Sequence, residues 1–523
     1  MERDITPQGL LSRRRGVMHD DLTRWSNLKR GSSDRESIPA TAKGSCNIRE
    51  TWTNCFKRNI FQTEYDEPKI FPSDKIYIAM SSGVDSSVAA ALLLRSGHPR
   101  ENLQPFYMAN WSPAANPVSM TPARLPYNKP RQESCDKQVQ YVSQSEKCTE
   151  KEFNDVKAVC YAMGLKEPLY MSFEKEYWNE VFMPMIEMYQ QGKTPNPDVE
   201  CNRQIKFGTV IKRLENEFER NVTINREGRK WWMATGHYAH VLNHIPTNSA
   251  HLLRSCDPNK DQTFYLSMIP PSVLPRLIFP LGSHSLSKPA VKALARELSL
   301  PGWRLGEPER PESMGLCFVE PGGGRGKSGF RRWLQEYLEP EPGNIVVGPS
   351  QIFPPNQESN VQPHAAPEGT VIGKHKGLWH ATIGERSHYE FPQGDPRFIG
   401  KWYVSRKYKE SNTLEVVKGL DNARLFGKGM IMEDWRWLGE DAQRVALQIF
   451  TNICNAKDNS IWESGLVTQF RHRQKPVKVK NTLRKPGAIS NTWPKCSIVV
   501  RRTMSRWWDY RECSGPRLTV VNI

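Results

Sequence analysis

Lys75-Ile76-Tyr77-Ile78-Ala79-Met80 is a short, nearly unbroken apolar run, the pattern of a strand buried on both faces. A Ser/Gly turn follows, and the continuous apolar stretch from Ser87 to Leu94 predicts a buried helix. Gln104 to Ala109, Pro168 to Phe173 and Trp231 to Thr235 read as further strands, and Glu176 to Tyr189 as a helix. Another helix is predicted to start at Thr149, with Glu152 three residues on completing a capping-box pattern. Its apolar positions Val156, Val159, Cys160 and Met163 keep the i, i+3, i+4, i+7 spacing, and Gly164 ends it. Strands alternating with helices predict an α/β domain over residues 74–243, with a parallel sheet covered on both faces.

The pattern breaks at three places. Residues 112–147 are rich in Pro, Ser, Asn and Gln and read as an inserted loop. Beyond 243 the texture changes: Ser287 caps a helix that carries Val291, Leu294, Ala295 and Leu298 on one face, and 244–345 reads as a small central domain. A Pro/Gly-rich stretch from Glu339 to Glu368 leads into short segments, Trp402-Tyr403-Val404 and Thr413-Leu414-Glu415-Val416-Val417, which alternate with turns. These predict a small C-terminal antiparallel barrel or sandwich over 346–480. Residues 1–73 have no sustained periodicity. Arg13-Arg14-Arg15 there fits a targeting segment, whereas Asp20, Asp21 and Asp34 do not.

A length of 523 residues suits two or three such domains. The formal charge of +17 favours a polyanionic partner, and no run of about 18 apolar residues exists to cross a membrane, so nucleic acid is the expected partner. The excess is uneven. Residues 464–523 hold 13 Lys/Arg against 2 Asp/Glu, so 481–523 reads as an atypical basic tail, with Trp493, Trp507 and Trp508 interspersed. Eleven cysteines, an odd number with no CxxC pair, argue against a disulfide framework, a zinc ribbon or CxxC-type iron–sulfur ligation. They fit a reducing compartment with a few special thiols.

Three constellations carry chemistry. Ser81-Ser82-Gly83-Val84-Asp85-Ser86-Ser87 joins the first strand to its helix. Small residues let backbone N–H groups approach an anion, the helix N-terminus adds positive potential, Ser86 and Ser87 offer hydroxyls, and Asp85 can hold a metal or orient the loop. The segment lacks the GK[ST] of a Walker A loop and does not match GxGxxG. The second is Thr194-Pro195-Asn196-Pro197-Asp198-Val199-Glu200-Cys201-Asn202. Its prolines stiffen a loop that presents Asn196 to a base edge, Asp198 as a proton carrier and Cys201 as a nucleophile. The helix opened by Ile205-Lys206-Phe207 can lower the thiol pKa. The third, Ser313-Met314-Gly315-Leu316-Cys317-Phe318, gains force only as a partner to Cys201.

The first segment resembles the PP-loop, SGGxDS, of ATP pyrophosphatases, with Ser82 in place of the first glycine. The order of PP-loop, TPNPDxxCNxxIKF at 194–207, Ala234-Thr235-Gly236-His237-Tyr238, Asp261-Gln262-Thr263-Phe264-Tyr265-Leu266 and Gly315-Leu316-Cys317-Phe318 resembles the MnmA-type tRNA 2-thiouridylases, including their mitochondrial relatives. The likeness runs from about Lys75 to Gln474. It implies a Rossmann-like parallel sheet with the PP-loop, a small central domain and a C-terminal β-barrel. ATP, with Mg2+, would be bound by Ala79, Met80, Ser81, Ser82, Gly83, Val84, Asp85 and Ser86, with Met108 packed on the adenine and Gly236 alongside. Asn196, Pro197 and Asp198 would contact the target base, and Lys260, Asp261, Gln262, Arg471 and His472 would touch the anticodon stem-loop of tRNA. Cys201 would be the catalytic nucleophile, Asp198 an acid/base, and Cys317 the persulfide carrier. His237 is a base by residue type but reads as a structural histidine.

Such enzymes adenylate the C2 oxygen of the wobble uridine, position 34, and exchange it for persulfide sulfur supplied by a donor protein such as a cysteine desulfurase relay. The resemblance also implies a mitochondrial location and a targeting role for residues 1–73. Departures are His472 where the family has Tyr, and no recognisable closing strands after about Lys480. Two other readings compete: another PP-loop enzyme that adenylates and amidates a small substrate, and a non-catalytic RNA-binding protein with a degenerate nucleotide site.

Overall fold

The computed structural model describes residues 65–111, 135–221, 230–255, 257–284, 286–304, 307, 331, 334–350, 366–389, 391, 394–425, 462–468, 477–483, 498–501 and 519–520. Its centre is a five-stranded sheet in the order β4-β3-β2-β5-β8, formed by β2 (Lys75–Met80), β3 (Leu103–Ala109), β4 (Leu169–Ser172), β5 (Trp231–Ala234) and β8 (Leu277–Ile278). Every pairing within it is parallel. The apolar β2 reads as it does because both its faces are covered. Tyr77 and Ala79 join a core beneath the helices of 174–221, while Ile76, Ile78 and Met80 pack toward α1 (Val84–Arg95), α2 (Cys135–Ala162) and α8 (Lys288–Glu297). Each large side chain buried this way contributes about 1.5–3 kcal/mol.

The predicted strands and the buried helix α1 are present, and Ser287 caps α8 by accepting from the Ala290 amide. Two boundaries shift. Helix α2 starts at Cys135, so it takes in residues 135–147 of the predicted 112–147 loop. Past Pro130 the chain up to Lys147 has no Pro or Gly, and its helix-forming residues extend the helix through Thr149. Glu152, expected in a cap, instead accepts a 2.8 Å hydrogen bond from the Tyr107 hydroxyl. The first domain also continues past 243, because β8 completes its sheet and α8 packs on α1. Beside it, β1 (Tyr65–Asp66), β6 (Ala239–His244) and β7 (Ser249–Arg254) form an antiparallel ribbon in the order β1-β6-β7.

Between β4 and β5 the chain runs through α3 (Glu174–Tyr177), a π-helical turn (Trp178–Phe182) and α4 (Met183–Gln190). Next come α5 (Pro197–Glu200), a nine-residue π-helix (Cys201–Thr209) and α6 (Val210–Asn221). The short α7 (Pro280–Ser283) lies beyond β8. The barrel segment holds a four-stranded sheet, β10-β9-β12-β11, made of β9 (Gly343–Val347), β10 (Val371–His375), β11 (Trp402–Tyr408) and β12 (Thr413–Lys418). It is mixed rather than purely antiparallel, since β12 runs parallel to β9. Its core holds Ile345, Val347, Phe398, Trp402, Leu414 and Val416. Strands β13 (Trp462–Thr468), β14 (Val477–Leu483), β15 (Ile498–Arg501) and β16 (Thr519–Val520) form a further sheet, so the basic tail supplies strands of its own. The barrel is tied to the first domain by Lys407, whose ammonium donates to the Gly192 carbonyl at 2.8 Å. Burial pushes this ammonium down to about 8.

Candidate active site

In chain order the parallel strands run 3-2-1-4-5 across the sheet, so the connections reverse between β2 and β5. Ligands of open α/β sheets bind at the carboxyl ends of the strands at such a reversal. There the Ser81–Ser87 loop leaves β2 and the Thr235–His237 turn leaves β5. The two meet closely: a Cβ on Gly236 would lie 2.7 Å from the Asp85 carbonyl carbon and the Ser86 nitrogen. Only glycine lets these backbones approach so far.

The loop is held by hydroxyls. Ser86 Oγ accepts from the Ser81 amide at 3.1 Å and lies 2.9 Å from the Ser81 carbonyl and 3.1 Å from that of Gly83, to which it can donate. Ser81 Oγ accepts from the Gly83 amide at 3.2 Å, and Ser87 Oγ donates to the Gly83 carbonyl at 2.9 Å. Ser82, in the position of the usual glycine, donates to Glu152 at 3.5 Å. Gly83 starts α1 in an extended conformation (φ −79°, ψ 156°) with no side-chain cap, so the first turn of the helix opens toward the crevice. Ala79 and Met80 are buried on opposite faces of β2. Met108 is partly buried near the end of β3, packed against the same core as Ala79.

Asp85 lies in the first turn of α1, one-third exposed. It accepts from the Tyr238 hydroxyl at 2.9 Å and from Lys288 Nζ at 2.8 and 2.7 Å. Neither partner stands out in the sequence. The available signals are a lysine at the first position of α8, where the helix dipole disfavours a cation, and a tyrosine in the ATGHY run.

The second wall is the 196–209 segment. Asn196 starts α5 without capping it, which leaves its amide unspent on the helix, and Pro197 takes the first helical position. Cys201 opens the π-helix and is only 4% exposed, in one core with Ile205 and Phe207. The π geometry shows at Gly208, where a Cβ would meet the Arg203 carbonyl at 2.8 Å. π-Helical turns recur at functional sites. Asn202 is buried and donates to the Tyr265 carbonyl at 3.0 Å. Burial pushes Asp198 up to about 6, against the opposing pull of the Lys206 charge. Burial and the same Lys206 charge push His237 down to about 3. Its ring lies 5.7 Å from Phe207 and 6.0 Å from Phe279, and a 2.7 Å hydrogen bond joins its Nδ1 to Thr235 Oγ1. His237 is thus a neutral structural histidine at physiological pH, and Lys206 couples the two walls electrostatically.

The Ser81–Ser87 loop, Met108 and Gly236 lie at the carboxyl ends of β2, β3 and β5, and Asn196, Pro197, Asp198 and Cys201 belong to the segment whose Phe207 ring meets His237. Asp261 and Gln262 are turned inward. Asp261 is buried and accepts from Arg254 at 2.6 Å and from the Thr263 hydroxyl at 2.8 Å, while Gln262 accepts from the Tyr238 amide at 2.9 Å. Both thus organise the loop next to Tyr238, with Lys260 partly exposed beside them. Cys317, Arg471 and His472 lie outside the described residues.

A neutral buried imidazole makes folding pH-dependent. The unfolded chain takes up this proton below its ordinary value near 6.5, the folded one only near 3. Stability present above pH 6.5 is therefore lost as pH falls toward 3, on the order of 3 kcal/mol from His237 by pH 4.5. Urea denaturation at pH 7 and 4.5 is expected to show a smaller difference for His237→Asn than for the unchanged protein. An equal difference would refute the assignment.

An all-parallel sheet with a Ser/Gly-rich loop at its reversal, followed by a small mixed β-sheet, defines a Rossmann-like α/β protein. Residues 74–124 and 131–321 match the family model described as "tRNA methyl transferase HUP domain", and residues 331–418 the "tRNA methyl transferase PRC-barrel domain". The chain is 33% identical over 421 residues to "Mitochondrial tRNA-specific 2-thiouridylase 1" of Schizosaccharomyces pombe, covering 80% of this chain and 83% of that protein. It is 34% identical over 409 residues to the Saccharomyces cerevisiae protein of the same name, covering 78% and 81%. With "tRNA-specific 2-thiouridylase MnmA 1" of Geobacillus kaustophilus it shares 31% over 447 residues, covering 84% and 94%. The chain belongs to the tRNA-specific 2-thiouridylase family.

Proposed function

We propose that this protein is a tRNA-uridine 2-sulfurtransferase that activates the C2 oxygen of the wobble uridine with ATP and replaces it with sulfur from a cysteine persulfide. The reading rests on the family and on one structural observation. The Ser81–Ser87 loop, the Thr235–His237 turn and the 196–209 segment adjoin one another, through Gly236 against Asp85 and Ser86 and through the Phe207 ring against His237, with Lys206 acting on both Asp198 and His237.

In this reading the Ser81–Ser86 loop and the start of α1 hold the phosphates of ATP, and Met108 packs on the adenine. Asp85 is a carboxylate of the kind Mg2+ takes together with nucleotide phosphates. Mg2+ would supply charge neutralisation for the departing pyrophosphate. Asn196 and Pro197 hold the base, which has to leave the anticodon stack to reach a crevice of this kind. Asp198 accepts the N3 proton as the C2 oxygen bonds to the α-phosphorus and pyrophosphate departs. Cys317 carries the persulfide, and its terminal sulfur reaches C2 by one of two routes. Either it attacks C2 directly, AMP leaves, and the Cys201 thiolate then attacks the Cys317 sulfur to free the sulfur on C2, or Cys201 first attacks Cys317 and releases the outer sulfur as sulfide, which attacks C2 and expels AMP. Both routes end with AMP, a thiocarbonyl and a Cys201–Cys317 disulfide that an external thiol must reduce. The sulfur comes from a donor protein of the cysteine desulfurase type. The names of the two yeast relatives support a mitochondrial location, with residues 1–73 as targeting segment.

The test is nucleoside mass spectrometry of tRNA incubated with the protein, Mg-ATP and a persulfide donor. The expected result is ATP-dependent 2-thiouridine with one AMP and one pyrophosphate per sulfur inserted. AMP without thiolation would favour a different adenylating PP-loop enzyme. Neither product, with tRNA still bound, would leave an RNA-binding protein.

A further inference from the structure

The PP-loop carries no lysine or arginine between Ser81 and Ser87, yet a polyphosphate brings several negative charges to it. The structure supplies a cation from elsewhere. Lys288 is the first residue of α8, 203 positions along the chain from Asp85. Its stem is buried, with the residue 8% exposed, and its ammonium passes 5.9 Å from the Tyr238 ring centroid to end 2.8 and 2.7 Å from the two Asp85 oxygens. Its backbone amide donates to Asp257 at 3.1 Å, which fixes the start of α8.

Two aspects of this arrangement are unfavourable to the fold alone. A cation in the first turn of a helix opposes the helix dipole, and burying a lysine–aspartate pair recovers little of its desolvation. The pair is also asymmetric: the Lys288 side chain is 10% exposed and that of Asp85 34%, so the carboxylate is its more solvent-accessible member. Three N–H donors on Lys288 meet two carboxylate oxygens, one of which also takes the Tyr238 hydroxyl. An ammonium placed beside the first turn of α1 supplies the charge that a Walker loop takes from its own lysine.

We infer that Lys288 is the polyphosphate-binding cation of this site, held ready by Asp85 and Tyr238. The inference builds on the ATP reading above and names the residue that meets the pyrophosphate end of the nucleotide. Asp85 and the phosphates then compete for one ammonium, so removing either member of the pair has opposite consequences for an anion.

Isothermal titration of the full chain with a non-cleavable α,β-methylene ATP analogue plus Mg2+, and separately with metal-free pyrophosphate, tests this. Lys288→Met is expected to weaken both ligands about ten- to a hundredfold, the worth of a charge-assisted contact, and Lys288→Arg to recover part of the loss. Asp85→Asn is expected to tighten metal-free pyrophosphate, because the ammonium is no longer neutralised. A merely structural pair predicts lower melting temperatures for both variants and no opposition of sign. Unchanged pyrophosphate binding in Lys288→Met, or weaker binding in Asp85→Asn, overturns the assignment while leaving the ATP reading in place. If the unchanged protein binds neither ligand, both fall. Should Lys288→Met not fold, Asp85→Asn alone decides through the sign of its effect.

Discussion

Cys201→Ser is expected to lower thiolation by about 10³-fold or more while tRNA-dependent release of pyrophosphate in a single turnover persists. The thiol sits at the first position of the π-helix, 4% exposed, with Ile205 and Phe207 in the same core. A serine hydroxyl has nearly the same volume, so the packing that orients Asn196 and Asp198 survives and melting should move by only a few degrees. A hydroxyl, however, neither attacks a persulfide nor closes a disulfide. Rapid-quench measurement of pyrophosphate beside nucleoside mass spectrometry separates the two steps. Thiolation within tenfold of normal would remove Cys201 from the chemistry. Loss of pyrophosphate release along with the sulfur would mean that the thiol supports the first step as well.

Asp198→Asn should strike earlier. Burial holds the Asp198 carboxyl up to about 6, so near neutral pH it is mostly ionised yet still basic enough to take a pyrimidine proton. The single-turnover rate of pyrophosphate release should rise with pH through about 6 and level off above, as the carboxylate becomes its majority form. Asp198→Asn should lower the plateau by about 10²–10⁴-fold and erase that inflection. The sign matters: a rate that falls as pH rises through 6 would make Asp198 a proton donor instead. An inflection that survives the substitution would belong to another group.

The strands of the parallel sheet were legible because burial on both faces writes itself as apolar runs, as in Ile76–Met80 and Trp231–Ala234. The PP-loop and the 194–202 run were legible because their turn chemistry is local. What failed was nonlocal or depended on competition between local signals. The Thr149 capping box lost to a continuous stretch of helix formers, and Glu152 found a better partner in Tyr107 across the sheet. β8 is two residues long and announces nothing until β5 offers it an edge. The π-helix differs from an α-helix by one residue per turn, and only the tight Gly208 position hints at it. Lys288 reads as an ordinary solvent-facing lysine until the fold brings Asp85 to it. Asp261, which the resemblance sets against tRNA, is buried with Arg254 and Thr263 as partners.

The strand order has a consequence for how the chain is made. β2 is central, but its second neighbour pairs through Lys75↔Trp231, and Asp85 waits for a partner 203 residues further on. Contacts of such separation form slowly, since the intervening loop must be closed before they are rewarded. While the ribosome is still delivering that stretch, the newborn N-terminal half displays one unpaired apolar strand edge, the kind of surface that holding chaperones capture. Release from the chaperone and acquisition of the nucleotide crevice would then coincide.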